Sequence, residues 1–129
     1  MKLTTLLAIG LAAASPVAAG DPGAEAFARY CATCHGIDGL GDGPMSEIMS
    51  IAVPDLTQLS ALNNGVFPML EVIHIIDGRT GLRGHGAPMP LYGALFDDAA
   101  GNTGPYGAPV ETRGMILSIA YHIEALQND

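Results

Sequence analysis

Cys31-Ala32-Thr33-Cys34-His35, followed by Gly36, is the stretch on which the reading of this chain turns. Two thiols three residues apart share one face of a helical turn. At that spacing they can add to the two vinyl groups along one edge of a porphyrin. The adjacent histidine then falls beneath the ring, where a neutral imidazole nitrogen can reach iron. The spacing C-x-x-C-H therefore reads as a covalent haem attachment site. Cys31 and Cys34 are the only cysteines in the chain, and this reading uses both.

Three other uses of the same residues compete. One is a small surface disulfide between Cys31 and Cys34. Another is a thioredoxin-like redox site, which expects a βαβ pattern that the sequence does not display. The third is structural zinc, which needs four ligands where this motif offers three. Export out of the cytoplasm favours haem. Met1 to Ala19 has the layout of a secretory leader: Lys2, an apolar core over Leu3 to Ala14, and small residues ending at Val17 and Ala19. The apolar run is too short for a membrane span, which takes roughly 20 residues. Residues 1–19 are thus expected to be a signal peptide, and residues 20–129 one small domain.

Composition narrows the partners. The full chain carries a formal charge of −8, and Lys2 is its only lysine. Past the leader, four arginines (Arg29, Arg79, Arg83 and Arg113) face all 13 carboxylates, a balance of −9. Nucleic acid and anionic membrane surfaces are poor partners for such a chain. A basic protein, or a docking face made of apolar contact, suits it better. The chain has no tryptophan and three phenylalanines; a porphyrin at its centre would supply the missing apolar bulk.

The helices follow from caps and spacing. Asp21-Pro22 opens a helix expected from Pro22 to about Thr33, with Gly23 and Phe27 on one face. Gly36 to Pro44 is a glycine- and aspartate-rich loop; its Pro44 carbonyl is the candidate acceptor for the second ring nitrogen of His35. The loop superficially resembles a calcium site but has no closing bidentate glutamate. Short helices are expected over Met45 to Ile51 and, capped by Asp55, over Leu56 to Leu62. A longer one runs from Pro68 to Asp77, stopped by Gly78, with Met69, Val72, Ile73 and Ile76 turned inward. His74 reads as a surface or packed histidine. Arg79 to Pro109 reads mostly as loop, in which Phe96 to Ala108 would cover a haem edge. A last helix, Val110 to Gln127, buries a stripe of Ile116, Ile119, Ile123 and Leu126 against the first, with His122 directed to solvent.

Within the long loop lies Gly84-His85-Gly86-Ala87-Pro88-Met89-Pro90. A methionine between two prolines sits on stiff backbone, and a soft thioether there suits the sixth position of a low-spin haem iron. Rivals are Met45, Met49, Met69 and Met115, which sit in helical pattern where methionine usually fills core, and His85 in the same loop.

In sum, Gly23 and Phe27 precede Cys31-x-x-Cys34-His35, Gly43-Pro44 follows, Met89-Pro90 comes late, and Ile119-Ala120-Tyr121 lies in the final helix. This arrangement resembles the class I c-type cytochromes. With Pro54-Asp55-Leu56-Thr57, Phe67-Pro68, Ile76-Asp77-Gly78-Arg79 and His85-Gly86, it is most similar to small proteobacterial monohaem members. The resemblance implies an all-α cytochrome c fold, with N- and C-terminal helices packed around one covalent haem c. It implies His35 and Met89 as axial ligands and a monomeric periplasmic electron carrier rather than an enzyme, acting on redox partner proteins. Alternatives are a haem subunit of a larger dehydrogenase or oxidase complex and an open-site haem enzyme or sensor. Three departures stand out: no lysines frame a haem edge, Tyr92 stands where near relatives carry tryptophan, and the Phe96 to Ala108 loop is longer and richer in glycine than the resemblance implies. Arg79 or Arg83 could pair with a propionate.

Overall fold

The computed structural model describes residues 20–78, 89–101 and 103–128. The proposed leader and Arg79, Arg83 and His85 lie outside them. The described residues form helices and turns, with no strand among them. The helices are α1 (Pro22–Tyr30), α2 (Ala32–His35), α3 (Leu59–Leu62), α4 (Met69–Asp77), α5 (Tyr92–Ala100) and α6 (Gly107–Ala125), with single 3-10 turns at Ser46–Ile48 and Leu56–Gln58.

Helix α1 starts where the sequence places it. Asp21 is extended, and its side chain accepts from Gly23 N at 2.9 Å and Ala24 N at 3.2 Å, with Pro22 in the first turn. It ends earlier than expected, at Tyr30, and the attachment motif forms its own short turn, α2. The chain bends at Cys31, whose N–H still donates to the Phe27 carbonyl at 2.8 Å.

Helices α1 and α6 pack face to face. Gly23 permits this, because a Cβ there would run into the backbone carbonyl of Ser118. Phe27 and Ile119 are fully buried at the contact. Ile116, Ile119 and Ile123 form the buried stripe foreseen for α6, and Leu126 is half-buried. The C-terminal end of α6 is tied down by side chains. Gln127 Nε2 donates to the Leu56 and Ile123 carbonyls, each at 2.8 Å, and its Oε1 accepts from Ser60 N at 2.8 Å.

Four expectations need correction. Tyr92–Ala100 is helical, not loop: Tyr92 and Phe96 are one turn apart, and both bury against Tyr30 and α6. Helix α6 begins at Gly107, taking Pro109 into its first turn, where a missing N–H costs nothing. Met45 to Ile51 forms only the Ser46–Ile48 turn. His122 turns inward, with a side chain 14% exposed. Two local readings agree with the fold: Asp55 caps its turn by accepting from Thr57 N at 2.9 Å, and Gly78 closes α4 at φ 89°. Val72 and Ile76 are buried, with Met69 and Ile73 packed beside them, and His74 is half-buried.

Candidate haem site

A cavity of about 760 Å³ opens between α1, α4, the Met49–Leu59 segment and the start of α5. That lies within the range of small-molecule and cofactor sites. Cys31, Cys34, His35 and Met89 all line it. Sequence reasoning therefore named four residues, 31 to 89, that the fold gathers on one wall system. It did not foresee most of the apolar lining, which includes Tyr30, Val53, Leu59 and Ile75. Those positions carried only helical or loop pattern.

The attachment turn is held by the loop behind it. Gly41 N donates to the His35 carbonyl at 2.7 Å, Gly43 N to the Cys34 carbonyl at 3.1 Å and Met45 N to the Thr33 carbonyl at 2.9 Å. Gly43 presses against the turn: a Cβ there would lie 2.5 Å from the Ala32 carbonyl oxygen and 2.6 Å from that of Thr33. The loop is continued into the next wall by Leu56 N, which donates to the Gly39 carbonyl at 2.7 Å.

Both cysteines are free, Cys31 buried and Cys34 half-buried. Burial, and then the neighbouring Cys34, push the Cys31 thiol up to about 12. A thiol held protonated is a poor disulfide-exchange nucleophile, which argues against the thioredoxin-like reading. His35 is pushed below its ordinary value by burial, partly offset by the Pro54 carbonyl. Burial therefore favours the neutral imidazole, the form that binds metal. Its Nδ1 is buried and makes no hydrogen bond, so the Pro54 carbonyl influences the ring without reaching bonding geometry. The carbonyl acting on the ring is thus Pro54's, where the sequence had suggested Pro44's.

Met89 is half-buried against the core, two residues before the Leu91 cap of α5. Among its rivals, Met45 and Met115 are exposed and Met69 packs on the core outside the cavity. Met49 does line the cavity, on the Met49–Val53 stretch that leads to Pro54. Apolar walls, two free thiols, an imidazole and a thioether on one cavity are a donor set that fits haem c. Among the described residues, no three His, Cys, Asp or Glu side chains converge as they would around a metal ion.

The family model described as Cytochrome c matches residues 20–103. The chain belongs to the cytochrome c family. Family membership implies haem c, and Cys31 and Cys34 are placed compatibly with its attachment. No curated protein and no solved structure matches the chain. The match to the cytochrome c family stops before α6, yet α6 supplies Ile123 to the cavity and packs on α1, α4 and α5. No helix among the described residues is long and apolar enough to cross a membrane.

Proposed function

We propose that this cytochrome c family member is a periplasmic one-electron carrier, in which Cys31 and Cys34 would bind one haem c covalently and His35 and Met89 would hold its iron. The observation that carries the reading is the convergence of those four side chains on one apolar cavity. Haem c, when bound, supplies reversible one-electron chemistry at iron. The chain's part is to hold that group and set its surroundings. Thioethers from Cys31 and Cys34 keep it attached outside the cell. His35 enters as a neutral base, already favoured by its burial. A thioether ligand and dry walls such as Val72 and Ile76 favour the state with less positive charge on the metal. Both raise the midpoint potential, which is expected to be positive. With an excess of carboxylates and no lysine past the leader, the chain suits a basic or apolar docking partner, which it meets as a monomer.

Expression in cells able to mature such proteins tests this. The exported polypeptide should gain the mass of one haem on the peptide holding Cys31 and Cys34. Its oxidised visible spectrum should show the weak sulfur-to-iron charge-transfer band of methionine ligation. Met89→Ala should abolish that band. A band that survives would assign the ligand to another methionine, with Met49 the first to examine.

A further inference from the structure

We propose that the Tyr92 hydroxyl is a positioning group for the sixth ligand, tying the Met89 segment to the attachment turn by a path that does not run through the cofactor. The inference rests on Met89 being that ligand. It starts from the bend at Cys31. In an unbroken helix the Tyr30 carbonyl would accept from Cys34 N, but Cys34 N turns to the Cys31 carbonyl at 3.1 Å. The Tyr30 carbonyl is instead taken by the hydroxyl of Tyr92, which donates to it across 62 residues of sequence.

The two ends of this bond are well chosen. Tyr30 adjoins Cys31. Tyr92 stands three residues after Met89 with Pro90 between them, a link with fixed φ. The ring needs no hydroxyl to pack: it is 9% exposed, 5.5 Å from Phe96 and 6.1 Å from Tyr30 between centroids, and phenylalanine would fill the same space. The hydroxyl is the part that packing does not require. Burial, then Cys31 and Cys34, push this phenol up to about 12, so it remains a donor across the neutral range. Without it, this hydrogen bond between the Met89 segment and the end of α1 is lost, and the thioether is expected to leave iron more often.

The test compares holoprotein of wild type, Tyr92→Phe and Met89→Ala at neutral pH. Carbon monoxide binding to the reduced protein reads the Met89-free population, because the gas waits for the ligand to leave. In Tyr92→Phe that rate is expected to rise about tenfold, the scale set by one buried hydrogen bond. The charge-transfer band should be lost at lower denaturant than the far-ultraviolet helix signal, whose midpoint stays near wild type. An unchanged rate, or band and helix shifting together, overturns the proposal while Met89 ligation stands. A band that persists in Met89→Ala overturns ligation and this inference with it. In the wild type, proton magnetic resonance should find a slowly exchanging Tyr92 hydroxyl close to Tyr30 and Cys31; its absence also overturns the assignment, even if Tyr92→Phe fails to mature.

Discussion

The His122 ring lies against Phe27 at 5.1 Å between centroids and 52° between planes, at the centre of the α1–α6 contact. Its Nδ1 is 3.7 Å from Asp21 Oδ2, and its Nε2 is buried without a partner. One residue therefore joins the cap of α1 to α6 while leaving a polar atom unsatisfied.

An unsatisfied buried nitrogen costs about 1–3 kcal/mol. His122→Phe, which keeps the ring and removes the nitrogen, is expected to leave stability unchanged or raise it by about 1 kcal/mol. His122→Ala should lower it by about 2 kcal/mol through the lost contact with Phe27. Denaturant unfolding of the holoproteins distinguishes the two.

Asp21→Ala removes the cap of α1 and should cost about 1 kcal/mol. Combined with His122→Phe in a double-mutant cycle, it should show little coupling, because a 3.7 Å approach to a largely exposed carboxylate is weak. A coupling energy above about 1 kcal/mol would contradict this.

Gly43→Ala has no room against the attachment turn. The expected outcome is overpacking of about 1–3 kcal/mol and a lower yield of haem-bearing protein. Haem-stained gels against total protein measure it. An equal substitution at Gly114, which has nothing within 4 Å of its Cβ position, should leave the yield intact.

The Tyr92 phenol gives an alkaline signature. Its folded value, about 12, lies above the ordinary value of 10.0. The unfolded chain therefore loses this proton first, so the group's contribution to stability is complete below pH 10.0 and declines as pH rises above it. Thioether formation removes the two cysteine charges and leaves burial as the cause. Phenolate absorbance should show one tyrosine titrating late, and Tyr92→Phe should delete that step.

Legibility in the sequence followed the strength of local chemistry. The start of α1 and the end of α4 were readable because Asp21-Pro22 and Gly78 act within a few residues. Cys31, Cys34 and His35 could be singled out because C-x-x-C-H has few other uses, and the fold lines one cavity with them. Helix α5 was missed because its N-terminus has no side-chain cap and contains Gly93, and its stability comes from Tyr92 and Phe96 packing on partners far away in sequence. His122 was misplaced because angular position on α6 leaves out how far the Phe27 ring reaches. The expected Pro44 acceptor was missed because a bond to His35 Nδ1 depends on how the loop folds back, and in the structure Nδ1 has no partner.

Gln127 bonds to Ser60 and Leu56 across 67 and 71 positions of chain. Leu56 also lines the cavity. That wall is consequently held by contacts of long sequence separation, which cost more chain entropy to close than a local turn does. A polar hook at the end of α6 therefore helps to set the width of the opening, and Gln127→Ala is expected to loosen that side of it.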